Sequence, residues 1–311
     1  MYGFPALAML FAMRIALSGS TGLVGSAVTA ALSAAHAIIP ITRTAGFSPR
    51  ADAIAWDGRE RFDAPALRAC DAIIHIAGAG IADRRWSEAR RREIRDSRVV
   101  GTAAIARLLA EDPGRVRTLI IASGAGFYGD CGEAEVDERS PCGAGFLAAV
   151  CRDWEAAADP CRSAVRVVHL RLGVVLDRRG GALAKLLTPA RFGLAGALGS
   201  GRQWWPWIGR DDLIGVVRHV LADASLHGVV NTMAPQPVRQ VELARAVAAA
   251  LGRWALAPPA PAWALRLALG GVVDEVLLAS TRARPGRLSQ HGFIWSTPTV
   301  SEALRAELAT G

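Results

Sequence analysis

Arg14-Ile15-Ala16-Leu17-Ser18-Gly19-Ser20-Thr21-Gly22-Leu23-Val24-Gly25-Ser26 is the stretch that decides the fold of this chain. A short apolar run passes straight into a glycine turn, as a buried parallel strand does, and the turn opens helical patterning that lasts to Ala35. Gly19 permits a tight turn, Gly22 lets backbone amides approach a pyrophosphate, and Gly25 lets helix and sheet pack closely. Phosphates then sit on the helix N-terminus, where unpaired N–H groups and the helix dipole favour an anion. Gly19, Ser20, Thr21, Gly22, Leu23, Val24 and Gly25 are therefore the expected phosphate-holding set. A triphosphatase loop would need lysine after its second glycine; Ser26 follows Gly25 here, which excludes it.

Working outward, strands are expected at residues 38–43, 53–56, 72–77, 116–122 and 165–170, and helices at 22–35, 86–109 and 146–158. Strands alternating with helices of this length specify a parallel sheet covered on both faces. The expected fold class is α/β, a Rossmann-type doubly wound parallel sheet, with ligands along the carboxyl edge of its strands. After Gly180 the pattern changes. Helices are expected at 182–191, 211–223 and 238–251, with a glycine- and tryptophan-rich loop at 193–209. The proline-rich joint Ala257-Pro258-Pro259-Ala260-Pro261 precedes a small, mostly helical C-terminal module with helices near 262–269, 272–280 and 300–308. The expected division is an extension at 1–12, a dinucleotide-binding domain at 13–254 with its substrate elements mainly in 180–254, and the module at 255–311. Met1–Met13 is apolar and uncharged and reads as an extension or mis-set start, with Met13 the first residue, rather than a targeting signal.

The end of the second strand discriminates between cofactors. NAD readers place a carboxylate there for the ribose 2′-hydroxyl; this chain has Thr42-Arg43-Thr44 instead. A guanidinium suits a 2′-phosphate, so Arg43 points to NADP(H).

The 311 residues carry a formal net charge of +8, yet only one lysine, Lys185, among 36 basic residues. The arginine-dense stretch Arg84–Arg98 is interleaved with Glu88, Glu93 and Asp96, as on a solvated helix face. Nucleic acid is thus not the expected partner; a small-molecule substrate is, with the protein a monomer or homodimer. No uninterrupted apolar run reaches the ~20 residues that span a bilayer, so no membrane association is expected. Five cysteines, odd in number and without a C-x-x-C pair, suit a reducing cytoplasm and exclude a disulfide framework. The six histidines lack ligand spacing, so no metal is expected.

Further strings narrow the reading. They are Asp71-Ala72-Ile73-Ile74-His75-Ile76-Ala77-Gly78; Arg85-Trp86 followed by Ile94, Ser97-Arg98 and Gly101-Thr102; Ala122-Ser123 with Phe127-Tyr128-Gly129; Arg171-Leu172-Gly173-Val174-Val175-Leu176; and Leu198-Gly199-Ser200-Gly201-Arg202-Gln203-Trp204 with Trp207-Ile208 and Asp211-Asp212-Leu213. Together these resemble the extended and atypical short-chain dehydrogenase/reductases. They are most similar to the "epimerase family protein" branch, which carries a C-terminal domain of unknown function. The resemblance runs from Met13 to Leu308. It implies that Ile76, Ala77 and Gly78 line the adenosine and ribose side of the cofactor, that Glu93 and Arg98 lie near it, and that Val175 lies near the nicotinamide.

Two departures bear on chemistry. Family members use a Tyr-x-x-x-Lys pair, in which the lysine lowers the pKa of a proton-transferring tyrosine. At the corresponding helix start this chain has Phe146-Leu147-Ala148-Ala149-Val150-Cys151, and its two tyrosines, Tyr2 and Tyr128, allow no such pair anywhere. Ser123 keeps the usual serine position and Tyr128 the neighbouring tyrosine-glycine position; these two are the candidate catalytic groups. The family's histidine after Ile208 is also replaced, by Gly209. Trp204, Trp205 and Trp207, close together in an expected loop, are candidates for the wall of a substrate site. The expected function is an NADP(H)-binding oxidoreductase or epimerase-like enzyme; the alternative is a non-catalytic NADP(H)-binding regulator, such as a cell-division-associated factor.

Overall fold

The computed structural model describes residues 12–43, 52–255 and 257–309. The expected extension, residue 12 excepted, and Thr44 lie outside the described residues. Ten helices are named in chain order among them: α1 (Leu23–Leu32), α2 (Ala64–Arg68), α3 (Glu88–Glu111), α4 (Phe146–Ala156), α5 (Gly181–Ala190), α6 (Arg210–Ala222), α7 (Gln240–Ala250), α8 (Ala262–Leu269), α9 (Gly286–Gln290) and α10 (Val300–Ala309). The strands are β1 (Arg14–Ser18), β2 (Ala37–Arg43), β3 (Ile54–Trp56), β4 (Ala72–His75), β5 (Thr118–Gly124), β6 (Glu135–Val136), β7 (Arg166–Leu172), β8 (Val174–Leu176), β9 (Trp204–Trp205), β10 (Trp207–Gly209), β11 (Gly228–Thr232), β12 (Val238–Arg239) and β13 (Arg282–Ala283).

Seven strands form one sheet in the order β11-β7-β5-β4-β1-β2-β3, every neighbouring pair parallel. This is the Rossmann-type architecture expected. Alternation along the strands builds its two cores. Ala16, Ile73, Leu119 and Val167 pack with Ile105 and Leu109 of α3 and Trp154 of α4 on one face. Ile15, Leu17, Ile74, Ile120 and Val168 pack with Val28 of α1 and Val216, Val217 and Val220 of α6 on the other. The order of strands reverses between β1 and β4, and the crevice outside their carboxyl ends is where such sheets take ligands.

A third core joins Leu183 and Leu187 of α5, Leu243 and Val247 of α7, and Leu304 of α10 to Trp205 and Trp207. Here the structure departs from expectation. The tryptophan segment is not a loop: β9 pairs with β12, and β10 with β8. The expected helix at 272–280 is a single π-turn, Val273–Leu277. The seventh strand, β11, was not expected; its GVVNT is too short to show a period and becomes a strand only by pairing with β7. No helix among the described residues is long and apolar enough to cross a membrane.

Candidate functional site

Gly19 has φ +72°, and a Cβ there would come within 3.1 Å of the Ala77 backbone. A Cβ on Gly25 would sit 2.0 Å from the Gly19 carbonyl oxygen. Both positions therefore need glycine. The Gly22 amide donates to the Gly19 carbonyl at 2.9 Å, closing the turn. α1 begins with no side-chain cap and no acidic residue in its first turn, which leaves its positive end to an anion.

Across the crevice, β4 delivers Ile76-Ala77-Gly78. Ser18, the last residue of β1, holds this segment: its hydroxyl accepts from the amides of Ile76 (3.1 Å) and Ala77 (3.2 Å). That hydroxyl has one proton to give, and His75 Nδ1 lies 2.8 Å away, so Ser18 donates to it and the ring carries its proton on Nε2. His75 is fully buried, and burial lowers its pKa to about 4, so it is neutral at pH 7. Sequence reasoning placed His75 in a motif but gave it no role; its partner lies 57 residues away.

Arg98 reaches this segment from α3. Its guanidinium carbon would lie 3.1 Å from a Cβ on Gly78, so the cation sits against the turn after β4. The residue is 8% exposed. It donates to the Ile94 carbonyl at 2.9 Å and the Ser97 hydroxyl at 3.4 Å, and lies over the Trp154 ring at 5.3 Å. No carboxylate is among these partners, and burial holds its pKa below the usual arginine range. A buried cation without a counter-ion among the described residues, lining a cavity, suits a ligand that brings the negative charge.

Glu93 acts at one remove. Its Oε2 accepts from Arg90 Nη1 at 2.6 Å and Arg84 Nη2 at 2.8 Å, and these hydrogen bonds, Arg90's first, lower its pKa. The buried Arg90 in turn donates to the Gly80 carbonyl. Glu93 thus orients a cation that fixes the strand-to-helix loop. Arg43 ends β2 with an exposed side chain, in register with Trp56. Val175, on β8, is half-buried against the same core cluster as Val24.

A cavity of about 1010 Å³ opens from this crevice. Val24, Gly78 and Arg98 line it at the cofactor side, and it extends to Trp205, α7 and the C-terminal module. Of the three candidate tryptophans only Trp205 lines it, with its Nε1 donating to the Leu277 carbonyl at 3.3 Å. Trp207 is 1% exposed and belongs to the third core; Trp204 lies between the guanidiniums of Arg239 (4.0 Å) and Arg282 (4.9 Å). Alternation along β9 parts Trp204 from Trp205, whereas Trp207 on β10 shares the third core with Trp205 but is buried short of the cavity.

Ser123 and Tyr128 do come together, but away from the residues lining the cavity. Ser123 donates to Glu155 Oε1 at 2.8 Å, and Arg171 grips both oxygens of Glu155 at 2.8 Å. Arg171 Nη1 donates to the Tyr128 hydroxyl at 3.0 Å, and that hydroxyl donates to Asn231 Oδ1 at 2.7 Å. The Arg171 guanidinium also stacks 3.3 Å over the Phe127 ring. Every polar group here is spent on another, and burial pushes the Tyr128 pKa up to about 12 despite Arg171. As placed, these hydroxyls hold β5, β7 and β11 together; neither faces the cavity. Sequence reasoning missed Glu155 and Asn231, which lie 32 and 103 residues from their partners. Lys185 does line the cavity, its Nζ donating to the Ala82 carbonyl at 2.9 Å.

Comparison with known proteins agrees with this geometry. The "epimerase family protein Mb2239" of Mycobacterium bovis is 40% identical over 293 residues, covering 93% of this chain and 96% of that protein. The crystal structure of human epimerase family protein SDR39U1 (isoform 2) with NADPH is 34% identical and superposes with a TM-score of 0.86, covering 96% of this chain and 99% of that one. UDP-N-acetylglucosamine 4-epimerase from Bacillus cereus, at 16% identity and a TM-score of 0.74 over 96% of this chain and all of that one, shares the fold. Residues 260–307 match a domain of unknown function (DUF1731), and residues 15–231 match the NAD dependent epimerase/dehydratase pattern. This chain therefore belongs to the NAD dependent epimerase/dehydratase family, within which it has an NAD(P)-binding fold.

Proposed function

We propose that the protein is an NADP(H)-dependent oxidoreductase acting on a small-molecule carbonyl or alcohol without a Tyr-x-x-x-Lys pair. The observation that carries this reading is the cavity: the cofactor crevice and a ligand-sized chamber are one continuous space, which a protein that only sensed a nucleotide would not need. The residues present fit a dinucleotide. Gly19 and Gly25 let the turn close against the Ala77 and Gly19 backbones, α1 offers an uncapped N-terminus, and Arg98 is a buried cation without a carboxylate partner among the described residues. Gly19 to Gly25 would hold the pyrophosphate, Ile76 to Gly78 the ribose side, and Arg43 the 2′-phosphate that selects NADP(H).

When bound, the reduced cofactor supplies a hydride. A substrate carbonyl held in the chamber would take that hydride at carbon and a proton at oxygen, the proton coming from Lys185 Nζ, which lines the cavity and is open to solvent for its replacement. Trp205 bounds the chamber, and Arg98 and Lys185 provide the positive charge along it. Ser123 and Tyr128, locked on Glu155, Arg171 and Asn231, brace the strands beside the chamber and take no part in the proton transfer. Calorimetric titration tests the cofactor assignment: NADPH should bind at least tenfold more tightly than NADH. Equal affinities would overturn it. NADPH binding with no turnover across broad carbonyl and alcohol panels would move the assignment to a non-catalytic regulator.

A further inference from the structure

The two ends of the cavity differ in chemistry. Arg84, Arg85, Arg98 and Lys185, with Asp83, line the part formed by the segment after β4, by α3 and by α5. The far part is walled by Leu198, Trp205, Val247, Leu265, Val276 and Leu277, with no charged side chain among them. Several of its backbone polar groups are already used. The Leu198 amide donates to Gln240 Oε1 at 2.8 Å, and the Leu198 and Leu277 carbonyls accept from Gln203 Nε2 at 3.0 and 2.9 Å. The Ala197 carbonyl accepts from the Ala260 amide, and the Ala260 carbonyl from the Gly199 amide, both at 2.8 Å. Trp205 Nε1, the wall's indole donor, is spent on Leu277.

Apolar surface continues outward from this chamber. Leu194 and Leu269 line the cavity and are exposed, and on α8 Trp263 and Leu267, four residues apart, face away from it at 68% and 71% exposure. A pyranose placed in the far chamber would bury several hydroxyls against spent backbone groups, each costing about tenfold or more in affinity. An alkyl or aryl chain would meet no such cost and would gain affinity with length.

We propose that the far chamber takes an apolar small molecule, a medium-chain aliphatic or aromatic ketone or aldehyde, and not a sugar nucleotide. The carbonyl in this statement rests on the function proposed above; the apolar class rests on the chamber wall. The α8 residue Leu265, half-buried on the wall, is the specificity-determining position, because a charge there reaches the chamber without entering the sheet cores.

The test uses the full chain saturated with NADPH and calorimetric titration of 2-pentanone, 2-heptanone, 2-nonanone and 2-undecanone, with UDP-glucose as comparator. Kd should fall about fourfold per added methylene, and 2-undecanone should bind more tightly than UDP-glucose. Leu265→Arg should flatten the series at unchanged NADPH affinity, which reports an intact fold; Leu265→Gln, a milder change, should reduce the slope if the arginine variant does not fold. A flat series, tighter binding of UDP-glucose, or an unchanged slope in a folded Leu265 variant would overturn the proposal. Chain-length-dependent binding without NADPH oxidation would support the apolar class and refute carbonyl reduction. Reduction of short polar carbonyls with no chain-length dependence would do the reverse.

Discussion

Replacing Arg98 with methionine should separate the two jobs of a buried cation, stability and cofactor binding. The methionine keeps an unbranched stem of similar length but removes the charge. Three interactions are lost: the hydrogen bond to the Ile94 carbonyl at 2.9 Å, the long one to Ser97 at 3.4 Å, and the stack over Trp154 at 5.3 Å. A hydrogen bond to a charged group contributes about 1.5–3 kcal/mol and a cation–π contact about 0.5–2 kcal/mol. Against these stands the cost of burying a guanidinium with no carboxylate, itself several kcal/mol. The terms nearly cancel, so the unfolding free energy of the cofactor-free protein from urea melts should stay within about 1 kcal/mol of the parent, or rise. NADPH binding should not escape. A charge about 5 Å from a phosphate interacts by roughly 3 kcal/mol at an effective dielectric of about 20, so Kd should rise on the order of a hundredfold. Parallel urea melts and calorimetric titrations read both quantities. A variant destabilised by more than about 3 kcal/mol, with NADPH affinity within threefold of the parent, would refute the reasoning and make Arg98 a structural cation.

Gly25→Ala places a methyl 2.0 Å from the Gly19 carbonyl, so the turn must move; NADPH titration should show at least a tenfold loss while far-ultraviolet circular dichroism is unchanged. Glu155→Ala leaves Arg171 and Ser123 without their buried acceptor and should cost about 3–5 kcal/mol in chemical denaturation; a loss under about 1 kcal/mol would mean that water replaces the carboxylate. Arg43→Asp should weaken NADPH and spare or improve NADH, and parallel loss of both in calorimetry would count against the 2′-phosphate assignment. His75 and His169 are neutral in the fold because burial lowers both pKa values to about 4, against about 6.5 unfolded. The unfolded chain therefore binds the extra protons, and stability is complete above pH 6.5 and falls as pH drops from 6.5 through 4, by on the order of 3 kcal/mol for each histidine. Thermal melts across that window should show the fall, and His169→Gln should shrink it.

The strand, turn and helix from Arg14 to Leu32 were legible in the sequence because their determinants are local. Apolar alternation, glycines that admit no Cβ, and helix patterning all sit within about one βα unit. The same holds for β2 to β5, for α3 and α4, and for the parallel class of the sheet, which follows from alternation alone. Elements whose identity comes from a distant partner were not legible. Gly228–Thr232 becomes the edge strand only against β7, and Trp204 parts from Trp205 and Trp207, which share the third core, once β9 and β10 pair with β12 and β8. Ser123, on β5, and Tyr128, in the turn after it, were the candidate catalytic groups of the sequence, but their surroundings are Glu155, Arg171 and Asn231, supplied by α4, β7 and β11. The chamber shows the division most clearly. Its cofactor side is written in two short motifs, whereas its apolar side is assembled from β9, α7, α8 and the π-turn, segments that share no period and meet only on folding. Local sterics and periodicity act over a few residues and can be read along the chain. Burial and hydrogen-bond satisfaction depend on which distant surfaces meet, and that is settled only by packing.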